Sequence, residues 1–247
     1  MASDMDFKTD LVVAYRTLAA EGVIDAYGHV SMRSPNDPNR YFLARSLAPE
    51  LVREEDLLEY DLDSNAIDAE GAVSVFERFI HGEIYKARPE INAVVHSHSA
   101  TVVPFSVCDI ELKPIFHMAA FVGLGVPNFE IRDSKQGSDL LIRDTYLGAA
   151  LARTLGNCPA TLMRGHGAAI VGENLPRAVG RAIYLEMSAS MQMQLMSVGG
   201  RDMPITTIDD GEVAAAVPRQ DYGRAWGLWK DRVLATLKLE LNEKEKS

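Results

Sequence analysis

The segment Ile91-Asn92-Ala93-Val94-Val95-His96-Ser97-His98-Ser99 determines how the rest of the chain is arranged. Pro89 ends the helical pattern before it, and the apolar run 93–95 is typical of a buried strand. Residues two apart on a strand point to the same face, so His96 and His98 can direct their imidazoles at one point. Two protein ligands of one metal ion require this arrangement, although two unrelated histidines at a strand end would show the same spacing.

The composition is that of an ordinary globular protein. Of its residues, 47% are hydrophobic and 24% are charged. The length of 247 residues is enough for one large domain with a substantial core. The net charge of −10 and the pI near 5.1 argue against nucleic acid as the main partner. No apolar run is long enough to span a bilayer, and the polar stretch 1–10 is not a signal-peptide pattern. With only two cysteines, the sequence predicts a cytoplasmic protein without a membrane partner.

The spacing of apolar residues predicts interspersed helices and strands. Helical spacing covers residues 11–21, 76–88, 101–107, 138–155, 175–198 and 222–241. Besides the histidine segment, strand patterns cover residues 26–33, 41–44, 57–62, 114–117, 126–131, 160–163 and 168–171. The turns between strands are too short for βαβ crossovers throughout. The sequence therefore predicts an α/β protein, with a central, mostly antiparallel sheet flanked by helices in one domain spanning 1–247.

Two further residues extend the metal hypothesis. His166 lies in the turn 164–167, where the flanking glycines let the backbone approach a site closely, and three histidines with an open position are typical of a catalytic zinc-like site. Glu77 stands at the start of the helix before the histidine strand, where it is either a solvated carboxylate or one that binds the ion or exchanges a proton. Spacing alone does not choose among the six histidines, which also include His29, His81 and His117.

In combination, these motifs resemble the class II aldolase/adducin family. The resemblance rests on Glu77, on Ala-Val-Val-His-Ser-His with its first histidine nineteen residues later, and on the Arg-Gly-His-Gly turn. It covers about residues 7–204 and leaves 205–247 as a C-terminal helical extension. It implies an α/β/α fold, often in a homotetramer with the site at a subunit interface. It also implies that His96, His98 and His166 bind the metal, that Glu77 is the catalytic acid/base, and that Tyr222 covers a neighbouring subunit's site.

The chain departs from the sugar-phosphate aldolases of this family where those enzymes hold the phosphate. A Gly-Asn pair, a Thr-Gly turn and a Ser-Ser pair are replaced here by Gly28-His29, Ser46-Leu47 and Val75-Phe76. Bulky apolar groups thus replace most of the donors that a dianionic phosphate needs. The pattern is similar to the decarboxylase branch. Its members act on ortho-hydroxy aromatic or pyridine dicarboxylates, or on carboxy-hydroxymuconic semialdehydes, in the catabolism of aromatic compounds.

The residues near the lost phosphate cradle suit a small carboxylate substrate. Arginine binds carboxylates bidentately, although each arginine could instead be a surface salt-bridge residue. Phenylalanines 76, 116 and 121 could flank a planar substrate or be simple core residues. The candidate substrate-binding residues are Arg45, Ser46, Arg78, Arg164 and, through the family resemblance, Tyr222.

Retro-aldol cleavage and decarboxylation make the same demand on a protein, because in both a carbon–carbon bond breaks and its electrons move into an adjacent carbonyl. Lewis-acid stabilisation by a divalent metal serves both; zinc or manganese fits, and cobalt or ferrous iron is also competent. The sequence predicts a metal-dependent carboxy-lyase in which Glu77 or His29 delivers the proton to carbon. The alternatives are an aldolase, epimerase or dehydratase acting on a sugar phosphate, and a non-catalytic adducin-like interaction module.

Overall fold

The histidine segment forms a central strand of an eight-stranded sheet. The computed structural model of the chain describes residues 4–200 and 203–244. The strand order is β4-β3-β2-β1-β5-β8-β7-β6, and every neighbouring pair is antiparallel except β6 with β7. The strands are β1 His29–Arg33, β2 Arg40–Ala44, β3 Leu57–Asp61, β4 Ala66–Ile67, β5 Ala93–Ser97, β6 Asn128–Phe129, β7 Ala160–Met163 and β8 Gly167–Gly172.

The register of the three central strands brings histidines together at one end of the sheet. His29 at the start of β1 pairs with His96 near the end of β5, and His96 pairs with Ala169 on β8. The turn that leads into β8 carries His166. Val94 and Val95 are fully buried because β5 is covered on both faces, which accounts for its uninterrupted apolar run.

Helices flank the sheet in two groups. Helix α2 packs against α3, whereas α1 packs against α4 and α6, and α4 lies across β5 and β8. These contacts confirm the predicted α/β/α fold with a mostly antiparallel sheet. Among the described residues, no helix is long and apolar enough to cross a membrane. The helices are α1 Asp4–Ala20, α2 Arg78–Ala87, α3 Thr145–Leu155, α4 Leu175–Gly199, α5 Asp210–Ala216 and α6 Gly223–Lys244.

The predicted C-terminal extension is helical and docks on the N-terminal helix. Helix α6 buries Trp229 and Val233. Its Glu240 carboxylate lies 2.5 Å from the Arg16 guanidinium of α1. Residues far apart in sequence are therefore joined by both apolar and ionic contacts. That the whole chain forms one domain stays a prediction.

The largest difference from the sequence prediction lies before α3. A helix was expected over 138–155, but α3 begins at Thr145, where the Asp144 side chain accepts a hydrogen bond from the Leu147 amide. Leu140 has a φ of +71°, which no helical residue adopts. Residues 138–144 are instead an irregular segment, called here the 138–144 segment.

Smaller differences lie in the middle and near the end of the chain. No strand forms over 114–117, because Pro114 accepts a hydrogen bond from the Ile208 amide and the chain then enters a 3-10 helix, His117–Leu124. The strand expected over 126–131 is only Asn128–Phe129, and the helix expected over 101–107 is a 3-10 turn, Val103–Ser106. Helix α5 was not predicted, although its capping box of Asp209 and Glu212 is visible in the sequence.

Candidate metal centre and substrate cavity

Four side chains from separate parts of the chain converge at the end of β5. His96 is on the strand, His98 lies just beyond its last residue, His166 is in the turn before β8, and Glu77 immediately precedes α2. One ligand atom from each lies within 4.8 Å of all the others. The Nε2 atom of His98 is 3.0 Å from Nε2 of His96 and 3.1 Å from Nε2 of His166. The structure therefore brings the four residues of the sequence hypothesis into one cluster.

The second nitrogen of each histidine shows that this cluster fits a cation. Nδ1 of His96 lies 3.1 Å from the Ala168 carbonyl oxygen, and Nδ1 of His166 lies 2.9 Å from that of Leu140. Nδ1 of His98 lies 3.1 Å from Asp25 Oδ1. Carbonyl and carboxylate oxygens only accept, so all three Nδ1 atoms carry the hydrogen.

The Nε2 lone pair of His98 consequently lies about 3 Å from those of His96 and His166, an arrangement that repels unless a cation lies between them. A tetrahedral zinc site places its nitrogens roughly 3.3 Å apart. The donor set thus suits zinc, and imidazole with carboxylate also suits manganese, cobalt or ferrous iron.

Glu77 is held in place by the 138–144 segment. It is 6% exposed, its Oε1 accepts a hydrogen bond of 2.9 Å from the Ile142 amide, and its Oε2 lies 3.4 Å from His96 Nε2 and 3.3 Å from His166 Nε2. Burial alone would raise the pKa of Glu77, but His96 and His166 outweigh it and hold that pKa far below its ordinary value. Burial lowers the pKa of His166, but in the absence of a metal ion the Glu77 carboxylate more than reverses this, because it hydrogen-bonds and attracts the protonated Nε2. The carboxylate is therefore ionised at neutral pH.

The 138–144 segment holds two of the four cluster residues, because the Leu140 carbonyl binds His166 and the Ile142 amide binds Glu77. Both contacts use backbone atoms of an irregular segment. The sequence prediction of a helix here hid them, and no side-chain motif marks backbone groups of this kind.

His29 and His81 form a second, buried pair beside the cluster. His29 Nδ1 lies 2.7 Å from His81 Nε2, and the His29 ring is 4.9 Å from that of His96. Burial lowers the pKa of His29 well below its ordinary value and that of His81 to about 3, so both rings are neutral at pH 7. Neither belongs to the four-residue cluster, and His117 is an exposed residue of the 3-10 helix.

A cavity of about 350 Å³, within the size range of small-molecule sites, opens beside the cluster. Its polar lining includes His29, Ser46, Glu77 and His98. Phe76 and Tyr27 stand at its mouth, with 64% and 77% of their surface exposed. Phe121 is fully buried and Phe116 packs against Tyr184, so neither joins this lining. The apolar lining consists of Ala26, Tyr27, Leu47, Ala48, Val75, Phe76 and Leu141.

The structure does not bring all the predicted substrate residues to this lining. Arg78 is turned away, with its Nε donating to the Ser64 carbonyl and its guanidinium 4.4 Å above the Phe79 ring. Arg164 pairs with Glu130 at 2.6 Å, and Arg45 pairs with Asp56 at 2.7 Å.

Tyr222 is also engaged within its own chain. It is 4% exposed, and its hydroxyl donates to the Met118 carbonyl over 2.8 Å. Of the proposed substrate residues, Ser46 alone lines the described cavity. The assigned roles of the others stay predictions.

An α/β sheet that presents three imidazoles and a carboxylate beside a cavity has the groups to hold a metal ion next to a small-molecule site. The chain belongs to the family described as Class II Aldolase and Adducin N-terminal domain, which it matches over residues 9–193. This confirms the resemblance drawn from the motifs.

Two relatives and one solved structure illustrate where the chain lies within this family. It is 36% identical over 231 residues to decarboxylase tropJ of Talaromyces stipitatus, covering 84% of this chain and 86% of that protein. It is 29% identical to a 3,4-dihydroxyphthalate decarboxylase of Arthrobacter keyseri, covering 78% and 81%. The L-fuculose 1-phosphate aldolase of Glaciozyma antarctica shares the fold, with a TM-score of 0.75, 24% identity and coverage of 94% and 90%. The family includes decarboxylases that are similar to this chain over most of its length.

Proposed function

We propose that the protein is a metal-dependent decarboxylase of a small ortho-hydroxy acid. The substrate is an aromatic or pyridine dicarboxylate, or a carboxy-hydroxymuconic semialdehyde from ring cleavage, in the catabolism of aromatic compounds. The observation that carries the proposal is the cavity wall beside the cluster, where Val75 and Phe76 replace the donors of a phosphate cradle. The similarity to two decarboxylases supports the same reaction type.

The proposed roles follow from the position of each group. A divalent cation held by His96, His98 and His166 would supply Lewis-acid stabilisation of the negative charge that develops as carbon dioxide leaves. Glu77, ionised at neutral pH, takes the proton of the substrate hydroxyl and returns it to carbon after the carbon–carbon bond has broken. Glu77 is thus the first candidate for the proton donor, and His29 is the second.

The apolar wall and one hydroxyl position the substrate. Phe76 presents an exposed ring at the mouth of the cavity, where a planar acid can stack. Ser46 offers a donor to a carboxylate, and Arg45, which is 42% exposed, is close in sequence and can exchange Asp56 for a substrate carboxylate. Arg78 and Arg164 require larger rearrangements, because each is held by groups of its own chain.

The test is carbon dioxide release by the metal-loaded protein. The panel contains dihydroxyphthalates, hydroxypyridine dicarboxylates and carboxy-hydroxymuconic semialdehydes, with L-fuculose 1-phosphate in parallel. We expect release from an aromatic or semialdehyde acid that stops on chelation and returns with zinc or manganese. Aldehyde formation from the sugar phosphate without carbon dioxide release would replace the decarboxylase by an aldolase. A protein that binds no metal would support an adducin-like interaction module.

We extend the proposal to a cytoplasmic homotetramer with the cavity at a subunit interface. The exposed aromatic rings of Tyr27 and Phe76 at the cavity mouth support this, because apolar groups clustered beside a site are typical of surfaces that another chain covers. A tetramer of 27.1 kDa chains has a mass of about 108 kDa, which light scattering after gel filtration measures directly. A protein that is monomeric when active would contradict this extension.

A further inference from the structure

The second pair of histidines belongs to a longer buried chain of hydrogen bonds. His81 Nδ1 lies 2.6 Å from Ser31 Oγ, and Ser31 Oγ lies 2.8 Å from the Tyr85 hydroxyl. With the contact of 2.7 Å between His81 and His29, the sequence is Tyr85–Ser31–His81–His29. The four residues are between 0% and 4% exposed. We call this series the buried chain.

Matched periods of a strand and a helix produce the buried chain. His29 and Ser31 are two apart on β1, whereas His81 and Tyr85 are four apart on α2. Two strand residues advance roughly 6.6 Å and four helical residues about 6 Å, so the two rows stay in step. Glu77, four residues before His81, continues the helical row to the metal cluster.

The direction of the buried chain follows from counting hydrogens. A neutral His81 carries one ring hydrogen, so it donates either to His29 or to Ser31. If it donated to Ser31, the Ser31 hydroxyl would turn to Tyr85, and the buried Tyr85 proton would need another acceptor. Among the described residues, the Tyr85 hydroxyl is hydrogen-bonded to Ser31 Oγ and to no other group, so its proton would have no acceptor in that arrangement. A buried donor without an acceptor is unfavourable, so Tyr85 donates to Ser31.

This direction fixes the position of each remaining hydrogen in the buried chain. Ser31 donates to His81 Nδ1, and His81 Nε2 donates to His29 Nδ1. The only hydrogen left to His29 is on Nε2, the ring nitrogen not engaged by His81, and His29 lines the cavity. The far end of the buried chain lies under the Arg33 guanidinium, 4.7 Å from the Tyr85 ring, where a second positive charge is disfavoured.

We propose that Tyr85, Ser31 and His81 are positioning residues that hold His29 as the neutral Nε2–H tautomer, so that His29 donates a hydrogen bond to a substrate oxygen in the cavity. His29 is then neither a metal ligand nor the source of the proton that reaches carbon. A neutral imidazole can stabilise developing negative charge by hydrogen bonding alone. The role toward substrate rests on the proposed decarboxylase function, whereas the tautomer does not depend on it.

The tautomer is tested in the metal-free protein by nitrogen-15 NMR of labelled histidines, with His29→Gln used to assign the signals. We expect a hydrogen on Nε2 and none on Nδ1 of His29 at neutral pH. Ser31→Ala interrupts the buried chain, and Tyr85→Phe removes its first donor while keeping the ring. Both should convert His29 to a mixture of tautomers. Tyr60→Phe is the matched control, because it removes a hydroxyl that donates to Ser74 over 2.9 Å outside the buried chain.

The kinetic readout separates this proposal from the proposed function. In Ser31→Ala and Tyr85→Phe we expect kcat for decarboxylation to fall about tenfold, the equivalent of one buried hydrogen bond, with metal content unchanged. A hydrogen on Nδ1 of wild-type His29, or the wild-type tautomer retained in both variants, would overturn the proposal. If the wild-type tautomer is as expected but no substrate loses carbon dioxide, the proposed function fails and the assignment of the buried chain stands.

Discussion

Two sets of histidines lie side by side in this protein, and they differ in the hydrogen-bond partner of Nδ1. In the metal cluster, Nδ1 of His96 and of His166 faces a carbonyl oxygen, which leaves the Nε2 lone pairs free. In the buried chain, Nδ1 of His29 faces another histidine, His81. The rings of His29 and His96 are only 4.9 Å apart, yet their available nitrogens have opposite character.

This difference shows that the hydrogen-bond partner of Nδ1 determines whether Nε2 of the same histidine offers a lone pair or a hydrogen. A fixed acceptor on Nδ1 prepares Nε2 to bind a cation, whereas a donor on Nδ1 leaves Nε2 with a hydrogen to offer. Proximity alone would have grouped all these rings as ligands. The experiments below test the two sets against each other.

The largest effect is expected from removing a ring of the metal cluster. His96→Ala should lower metal affinity more than about a hundredfold, beyond what the loss of an outer partner costs, and should remove decarboxylation with it. Elemental analysis after dialysis against a weak chelator measures this. His117→Ala, at an exposed histidine of the 3-10 helix, is the control and should retain one metal per chain. Full activity or full metal content in His96→Ala would remove the basis for the metal centre.

Glu77→Gln should give the next largest effect, on rate rather than on metal content. The amide can still accept from Ile142 but cannot take up a proton, so we expect kcat to fall about 10²- to 10⁴-fold. Steady-state kinetics at equal metal loading provide the measurement. Glu83→Gln, at another buried glutamate of α2, should stay near wild type. A Glu77→Gln enzyme as fast as wild type would move proton delivery to His29 and contradict the direction of the buried chain.

Replacing Asp25 tests whether the hydrogen-bond partner of His98 Nδ1 strengthens metal binding by His98. Its carboxylate accepts from His98 Nδ1, and Asp25→Ala should weaken metal binding about 10- to 100-fold with the fold intact. Competition with a chromophoric chelator gives the affinity. The matched control is Asp37→Ala, which removes a similar turn carboxylate that accepts from the Asn39 amide. Equal affinities in the two variants would mean that the contact with Asp25 does not orient His98.

The candidate metal ligands could be predicted from the sequence, whereas the groups that hold them in place could not. The spacing of His96 and His98 on a strand, and the glycines around His166, are local signals that family resemblance joined to Glu77. Leu140 and its neighbours continue a helical apolar pattern, and the local sequence does not predict the φ of +71° that Leu140 adopts.

The buried chain illustrates the same limit. The two-residue period of His29 and Ser31 and the four-residue period of His81 and Tyr85 are visible in the sequence. Their contact depends on how α2 lies on β1, which no local pattern specifies. The arginines are a third example, because sequence shows a positive charge but not the Ser64 carbonyl or the Glu130 carboxylate that engages it.

The buried pair should also make the metal-free protein sensitive to acid. The pKa of His81 is about 3 in the folded protein and 6.5 when unfolded, so below pH 6.5 the unfolded state binds more protons and stability falls as the pH drops. At about pH 5 the loss relative to neutral pH should be about 2 kcal/mol from this residue.

Urea unfolding of wild type and His81→Gln at the two pH values measures this loss. The variant should lose less stability on acidification, whereas His117→Gln, at an exposed site, should behave as wild type. An unchanged pH dependence in His81→Gln would show that folding does not lower the pKa of His81, which contradicts a buried chain held neutral by burial.

The smallest effect concerns Arg45, which lies outside both sets of histidines and tests the substrate carboxylate alone. If Arg45 leaves Asp56 to bind a carboxylate, Arg45→Met should raise KM about tenfold, the value of one charge-assisted hydrogen bond, with kcat nearly unchanged. Arg40→Met is a close control, since Arg40 is 40% exposed and paired with Glu59, against 42% for Arg45. A lower kcat at constant KM would place Arg45 in the reaction step, and equal kinetics in the two variants would leave Ser46 and the imidazole of His29 as the groups that bind the carboxylate.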